Sequence, residues 1–496
     1  MTITLSRANR WKNRARFLLS GAAVLALTGL GLALPTQLTA PEPQFLDVPE
    51  VELGAGVTTL MCPGAPQLTT AMGSGDVSYD LELDTGADAL TTRTVLTAAG
   101  ALEDPALIGE LGDETSRTEP RVELESGAAP LVARYQPAGR EAPSVAGVTL
   151  GHAEEGDLRG LVAGGCVAPS ANLWLPGGNT EVGSSTQLVL TNPGETAAQV
   201  RVQGWTGTGP MSGEVVELVE PGASKVVLTE TMERGERVAF QVVSEGGQVS
   251  AYLTTSSLDG IVPAGVSYVT PAAAPGLEGF VGPLRLEEFD DEERQTSLRV
   301  VNPGQDPAEV SVSLLGQEGE EPLGGAEDLT IEPGTVTDVP VAAPEAGDYA
   351  LRVVSTEPVA ASAHTAVVGE ESADIGGTPA DGSWLPSGNL TAEAMFPTAG
   401  NPTIAIANPA PENVDVQVEG IGEDGEVLET EEIAVAASQT VGIEVPQEAV
   451  AVRITGGYLL ATAQYEVDSP SGKLVAAVPA TWAGRAGTNV SVVVTN

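Results

Sequence analysis

The chain has 496 residues, of which 68 are acidic and 22 are basic, so its formal net charge is −46. This excess of negative charge excludes a nucleic-acid-binding role, because phosphate groups would repel the chain. Hydrophobic residues make up 42% of the sequence, enough for the cores of roughly three to five domains, whereas two histidines and two cysteines leave little for His-based catalysis or a transition-metal site.

The amino-terminal segment predicts export from the cytoplasm. Five basic residues precede an uncharged run at 17–34, which as a helix would extend about 27 Å, close to the hydrocarbon thickness of a bilayer. The basic residues hold the amino end in the cytoplasm. A signal anchor here predicts a single-pass protein of the cell membrane with its bulk extracellular. The alternative is a leader cleaved near Leu38-Thr39-Ala40, which predicts a secreted protein.

The two cysteines, Cys62 and Cys166, both follow the export signal. In an oxidising compartment such a pair is expected to form a disulfide. The bond would connect the beginning and the end of the first exported domain across a separation of 104 residues.

A phrase of alternating apolar residues around a turn recurs three times, at intervals near 105 residues. An alternating run, a proline turn and a second alternating run are typical of a strand, a turn and a strand. A second shared phrase later in each unit predicts a hairpin. The repeated turn residues are Asn192, Pro193, Asn302, Pro303, Asn408 and Pro409.

About seven short strands per hundred residues predict immunoglobulin-like antiparallel β-sandwiches. The predicted fold class is therefore all-β, with tandem sandwich domains after one amino-terminal transmembrane helix. The predicted segments are a basic cytoplasmic segment (1–16), the anchor or leader helix (17–34), a linker (35–44), a divergent sandwich closed by the disulfide (45–168), and three sandwich repeats (169–275, 276–380 and 381–496).

Asp84 lies in a D-T-G-A-D segment that looks like the active-site loop of retroviral-type aspartic proteases. That chemistry needs two carboxylates that share one proton. A second D-T-G triplet does not occur in the sequence. A hydrolase is therefore a remote hypothesis, and a turn that ends a strand is the simpler interpretation.

Trp174 and Trp384 begin two similar W-L-P phrases, at the openings of the first and third repeats. An exposed tryptophan beside Pro and Gly could stack on a sugar ring, whereas a buried one would pack at an interface between neighbouring domains. His152 and His364 have no adjacent Ser or Cys nucleophile, so surface or packing roles are expected for both. The sequence predicts no catalytic residue, no cofactor and no metal site.

Several motifs together resemble an uncharacterised actinobacterial family of exported, membrane-anchored proteins. Besides the basic anchor, they are Met61-Cys62-Pro63-Gly64, Gly165-Cys166-Val167-Ala168-Pro169, Trp174-Leu175-Pro176-Gly177-Gly178 and Leu190-Thr191-Asn192-Pro193. The resemblance implies a high-GC Gram-positive host and a cell-envelope location, and it implies no reaction.

Two functional hypotheses follow for such a chain. The first is a non-enzymatic envelope scaffold that binds another envelope protein or a wall-assembly enzyme and so supports the assembly of wall or surface glycan. The second is a carbohydrate-binding module for envelope polysaccharide. Both place the protein at the membrane through residues 17–34.

The predicted disulfide has a measurable consequence. Replacing both cysteines by serine should lower the free energy of unfolding by about 4 to 5 kcal/mol, because a long loop of the unfolded chain is no longer closed. Denaturant unfolding of the oxidised protein and of the double variant measures the change. An equal midpoint for the two proteins would contradict it.

Overall fold

The computed structural model describes residues 50–52, 55–68, 90–100, 106–137, 142–288, 291–373, 375–480 and 489–491. The predicted segments 1–16, 17–34 and 35–44 and the D-T-G residue Asp84 lie outside these ranges. The chain divides into two compact units, residues 1–53 with 489–496 and residues 54–488. In the first unit, strands β1 (Glu50–Glu52) and β34 (Asn489–Ser491) form an antiparallel pair.

The predicted all-β fold class is confirmed. In the described ranges the regular structure is β-strand apart from one 3-10 turn at Thr229–Thr231, and no α-helix occurs. The alternation of the sequence is the cause, because successive side chains of a strand point to opposite faces. Within the described part of the chain, no helix is long and apolar enough to cross a membrane.

The first sandwich contains two four-stranded antiparallel sheets, ordered β2-β7-β4-β5 and β6-β3-β8-β9. Apolar side chains of both sheets form its core, which includes the cysteines. Cys62 and Cys166 are bonded to each other, as the sequence predicts. The strands are β2 (Thr58–Cys62), β3 (Thr91–Ala99), β4 (Ala106–Glu110), β5 (Thr115–Arg117), β6 (Arg121–Ser126), β7 (Leu131–Tyr135), β8 (Ser144–Ala153) and β9 (Gly160–Gly165).

The second sandwich has the same plan, with sheets β10-β16-β12-β13 and β15-β11-β17-β18, where β14 also pairs with β12. Its core is mostly Val and Leu from both sheets. The strands are β10 (Asn172–Leu175), β11 (Ser184–Thr191), β12 (Ala198–Thr206), β13 (Gly209–Pro210), β14 (Val215–Val219), β15 (Ser224–Leu228), β16 (Val238–Glu245), β17 (Ser250–Asp259) and β18 (Val262–Val269).

In the third sandwich one long strand, β25, takes part in both sheets. Its last strand, β26, pairs with β25. The boundary predicted after residue 380 therefore lies after Pro386 in the structure. The strands are β19 (Gly276–Leu286), β20 (Arg294–Val301), β21 (Ala308–Gly316), β22 (Gly319–Pro322), β23 (Leu329–Ile331), β24 (Val336–Val341), β25 (Gly347–Val368) and β26 (Ala380–Pro386).

The fourth sandwich is built in the same way around the long strand β32, which pairs with β27 and β29 in one sheet and with β28 and β33 in the other. The strands are β27 (Thr391–Pro397), β28 (Thr403–Asn408), β29 (Val414–Ile421), β30 (Val427–Val435), β31 (Gln439–Ile443), β32 (Ala451–Ser469) and β33 (Gly472–Pro479).

The repeated asparagine has a structural role in three sandwiches. The amide nitrogen of Asn192 donates to the carbonyl oxygens of Thr196 (2.8 Å) and Val219 (2.9 Å), and its side-chain oxygen accepts the N–H of Gly194 (2.9 Å). Asn302 and Asn408 make the corresponding bonds. All three side chains are fully buried. Each therefore connects the turn to a neighbouring strand, which explains why the turn phrase recurs.

Within residues 54–488 the four sandwiches are arranged in a closed cycle. A cluster of buried apolar side chains joins each sandwich to the next, and another joins the fourth to the first. These clusters include Leu158, Val162, Tyr252 and Tyr268 at the 1–2 interface, Trp174, Trp205, Val301 and Ala360 at the 2–3 interface, Leu315, Ala350, Ala407 and Leu460 at the 3–4 interface, and Ala146, Met395, Ile421 and Ala451 at the 4–1 interface.

The last strands of the sandwiches lie at the centre of this cycle. β9 contacts β18, β18 contacts β26, β26 contacts β33, and β33 contacts β9. Tandem modules that touched only their neighbours in sequence would lack the last of these contacts. The four sandwiches therefore form a ring.

Loss of one turn asparagine should destabilise the protein. We expect Asn302→Ala to lower the free energy of unfolding by about 2 to 4 kcal/mol, because the carbonyl oxygens of Asp306 and Ile331 and the N–H of Gly304 lose their partner. Denaturant unfolding measures the effect, with Asn172→Ala, at an exposed position, as the matched control. If both variants unfold at the same midpoint, the turn does not depend on the buried amide.

Candidate functional site

The edges of the central strands are covered by side chains from the adjacent sandwich. The N–H of Trp384 in β26 donates to Ser267 Oγ of β18 (3.3 Å), and the N–H of Ala477 in β33 donates to Ser383 Oγ of β26 (2.9 Å). The same contact thus occurs at the 2–3 and 3–4 interfaces. It satisfies backbone groups that a free sheet edge would leave without a partner.

Asp381 is a fully buried acid at the centre of the ring. Its Oδ2 accepts the N–H of Leu161 in the first sandwich (3.1 Å) and of Val475 in the fourth (2.9 Å). Its Oδ1 has no hydrogen-bond partner among the described residues. Burial raises the pKa of Asp381 to about 7, although these N–H bonds and the charge of Arg159 act in the opposite direction.

Arg159 of the first sandwich reaches two other sandwiches from a fully buried position. Its guanidinium donates to Ser471 Oγ (3.0 Å) and to the carbonyl oxygens of Ser471 (3.1 Å) and Ala380 (3.2 Å). Burial lowers its pKa, whereas the charges of Asp381 and Glu154 raise it. Arg159 and Asp381 therefore connect the first, third and fourth sandwiches across the centre.

Trp174 lies at the 2–3 interface. It is 5% exposed and stacks on Trp205, with 5.2 Å between ring centroids. Met61, Phe280 and Met395 occupy the corresponding register position in the first strand of the other three sandwiches. The ring of Trp174 is therefore covered and offers no open face.

Trp384 occupies a different structural position. It lies in β26, the last strand of the third sandwich, where its register matches that of Tyr268 in the second. The prediction that the two W-L-P phrases open equivalent repeats is therefore wrong. Trp384 is 7% exposed, with Arg299 4.7 Å from its ring centroid and the ring of His364 at 4.4 Å.

Arg299 is buried at the 2–3 interface with all five of its N–H groups bonded. Nε and Nη2 donate to the carboxylate of Asp338 (2.8 Å each), and Nη1 donates to the carbonyl oxygens of Gly178 (2.5 Å) and Val238 (3.2 Å). The fifth bond, from Nη2, goes to the carbonyl oxygen of Glu236 (3.4 Å). The guanidinium is thus saturated, and its role is to connect the second and third sandwiches.

A small cavity of about 220 Å³ lies beside this arginine. We call it the His364 cavity, and its walls include Asn179, Glu236, Ser257, Ser267, His364 and Trp384. Burial and the nearby charge of Arg299 lower the pKa of His364 to about 4, opposed by Asp338. The imidazole is therefore neutral near pH 7.

A much larger groove, of about 1010 Å³, lies between the third and fourth sandwiches. We call it the 3–4 groove. Arg299, His364 and Trp384 of the third sandwich lie at its interface with the second. The residues at the corresponding register positions of the fourth sandwich are Ala405, Gln464 and Ala477. Of these, Gln464 and Ala477 line the groove, and Ala477 leaves open the space that a tryptophan would fill.

The walls of the 3–4 groove carry more acids than bases. Arg294 pairs with Glu466 across the two sandwiches (2.5 Å), and Lys473 pairs with the same carboxylate. Burial raises the pKa of Glu466, but its bonds to these two cations outweigh burial and lower it. The acids are Glu287, Asp291, Glu292, Glu293, Asp348, Glu370, Glu466 and Asp468, and the bases are Arg285, Arg294 and Lys473.

The remaining predicted residues are dispersed. His152 is exposed on the first sandwich, in β8. Pro193, Pro303 and Pro409 follow the buried turn asparagines. In the described ranges, no group of three or more His, Cys, Asp or Glu side chains is arranged to hold a metal ion.

Sequence reasoning missed Arg159, Arg299 and Asp381. The sequence could have indicated Arg299 as a buried residue. It stands three residues before a turn asparagine, where the other repeats have Val189 and Ala405. A charged residue at an apolar position of a repeat indicates a buried contact. Asp381 and Arg159 lie outside the recurring Asn-Pro phrase, so the repeats did not mark them.

Comparison with known proteins identifies a family. The model described as "Family of unknown function (DUF5719)" matches residues 122–446, about two thirds of the chain. The chain belongs to this family. No curated protein matches it.

Among solved structures, a crystal structure of Streptomyces avermitilis α-L-rhamnosidase complexed with L-rhamnose is similar at 10% identity and a TM-score of 0.12. The alignment covers 78% of this chain and 54% of the rhamnosidase chain, so the chain spans about half of that enzyme's length. At this TM-score the similarity does not bear on fold or function.

The buried acid predicts how stability changes with pH. Because the pKa of Asp381 is about 7 in the folded protein, against 3.8 for an ordinary Asp, the unfolded chain loses its proton first as the pH rises. Stability should therefore fall between about pH 4 and pH 7, by at most about 4 kcal/mol.

Asp381→Asn isolates this effect, because the amide accepts the same N–H bonds and does not ionise. Unfolding midpoints at several pH values should show wild type losing stability relative to the variant as the pH rises. A difference that stays constant from pH 4 to pH 8 would contradict the assignment.

Proposed function

We propose that this member of the DUF5719 family is a non-enzymatic scaffold of the cell envelope, which holds a segment of a partner protein in the 3–4 groove. Its sandwiches are proposed to be immunoglobulin-like, with residues 17–34 anchoring the chain in the membrane of an actinobacterial host and the bulk outside the cell. The partner is an envelope protein or a wall-assembly enzyme.

The closed ring supports a scaffolding role. A groove between two modules keeps its shape only if the modules keep their relative position. Here the third and fourth sandwiches are joined directly, where the Thr440 hydroxyl donates to the carbonyl oxygen of Leu315 (2.6 Å). They are also joined the other way around the ring through the first and second. Such a groove is pre-organised for binding, which lowers the entropic cost of association.

The charge of the groove supports a cationic partner. Its acids outnumber its bases, and the bases already have acidic partners such as Glu287 for Arg285 (3.0 Å) and Glu466 for Arg294 and Lys473. The chain as a whole carries a net charge of −46, which attracts a cationic ligand over a distance. The single observation that carries the proposal is this acidic groove between two rigidly joined sandwiches. It fits a peptide segment rich in Lys and Arg.

The polysaccharide hypothesis receives less support. It relied on Trp174 and Trp384 as open stacking platforms, and both rings are buried. The hydrolase hypothesis at Asp84 stays a remote prediction, since that residue lies outside the described ranges.

Site-specific photo-crosslinking tests the proposal. A photoreactive residue in place of Gln464, inside the groove, should crosslink the full-length protein in native membranes to a basic segment of another protein. The same residue in place of Thr430, exposed on the edge strand β30, is the matched control.

Charge reversal makes the test specific. Glu292→Lys with Asp468→Lys should lower the crosslinking yield at position 464 by about tenfold or more, because opposite charges become like charges. Glu431→Lys with Glu432→Lys on β30 changes the net charge equally and should leave the yield unchanged. Equal yields at 464 and 430, or equal effects of both charge reversals, would reject the groove as the binding site.

A further inference from the structure

The His364 cavity has on its wall a side chain whose polar atoms are unused. The imidazole of His364 makes no hydrogen bond to any described residue, and its ring contact is with Trp384. The residue in the same register is Thr254 in the second sandwich and Gln464 in the fourth, and Gln464 bonds both to the Arg285 N–H and to Asp348. The imidazole of His364 therefore has free hydrogen-bonding capacity next to empty space.

The charges around the cavity leave no site for an ion. The five N–H groups of Arg299 are all bonded, so its guanidinium cannot clamp an anion, and its partner Asp338 is neutralised by the same contact. Glu236, exposed at the cavity wall, adds repulsion toward anions. Arg299 already lies 4.7 Å from the Trp384 ring centroid, and its positive charge disfavours a second cation at that ring.

The remaining polar groups suit a neutral ligand. A neutral imidazole presents one N–H donor and one nitrogen acceptor, which matches a hydroxyl group that both accepts and donates. Ser257, Ser267 and Glu236 line the same space. At about 220 Å³, the cavity is smaller than the roughly 300 to 1,000 Å³ of sites for drug-sized ligands.

We propose that the His364 cavity is a binding site for a small neutral polyhydroxylated molecule, no larger than a monosaccharide, with His364 as the residue that bonds one of its hydroxyl groups. The site lies at the 2–3 interface and shares no lining residue with the 3–4 groove. It therefore does not depend on the function proposed for the groove.

The two histidines of the sequence make a direct test practicable. In the full-length protein labelled with isotopes in histidine, NMR should show only the imidazole signals of His152 and His364. The probes are glucose, galactose, mannose, myo-inositol and glycerol, with glucose 6-phosphate and glucosamine as charged analogues. We expect at least one neutral probe to shift the His364 signals saturably, while the His152 signals stay unchanged as an internal control.

Variants separate the hydrogen bonds from the packing. His364→Phe keeps a ring against Trp384 but removes both nitrogen atoms, and it should weaken binding of the neutral probe at least tenfold in calorimetry while the thermal midpoint changes little. His152→Ala should bind as wild type does. If His364→Phe fails to fold, His364→Gln, which keeps a donor and an acceptor, should retain measurable binding.

Three results would overturn the proposal. The first is that no neutral probe shifts the His364 signals. The second is that only a charged analogue does so. The third is that His364→Phe binds the neutral probe as tightly as wild type.

Discussion

The structure depends on how the last strand of each sandwich is covered. β9, β18, β26 and β33 each pair with a neighbour on one side only, and an unpaired strand edge in a chain of tandem modules is a site of aggregation. Here the edges meet at the centre of the ring. Ser267, Ser383 and Asp381 bond to backbone N–H groups of other sandwiches. The need to satisfy these edges favours a closed ring over an extended string.

Residues at the same register position differ in chemistry from one interface to the next. At the 1–2 interface Val189 and Tyr268 pack in an apolar cluster, and the hydroxyl of Tyr268 donates to the carbonyl oxygen of Gly64 (2.7 Å). At the 2–3 interface the corresponding residues are Arg299 and Trp384, which enclose a small cavity. At the 3–4 interface they are Ala405 and Ala477, and Ala477 lines a wide acidic groove. The same two positions thus carry different side chains at a sealed contact, beside a small cavity and beside an open groove.

Recognition of repeats by short phrases has a physical limit in this chain. Trp174 and Trp384 begin nearly identical W-L-P phrases, yet one lies in the first strand of a sandwich and the other in the last. β10 ends just before Pro176 and β26 ends at Pro386, because proline has no N–H and stops a ladder. Similar strand endings therefore produced similar sequences at unrelated positions. The Asn-Pro phrase was a better guide, since its asparagine is buried and makes the same three contacts each time.

The sequence by itself determined the all-β class, the period near 105 residues, the turn asparagines and the disulfide between Cys62 and Cys166, because alternation, turn chemistry and cysteine pairing are local or compositional properties. Only the tertiary structure decided that the sandwiches close on one another, that Arg159 and Asp381 meet between the first, third and fourth of them, and where the groove and the His364 cavity lie. Those features arise from contacts between residues up to about three hundred positions apart, such as Arg159 with Ser471. The periodicity of the sequence does not indicate which sheet edges come together.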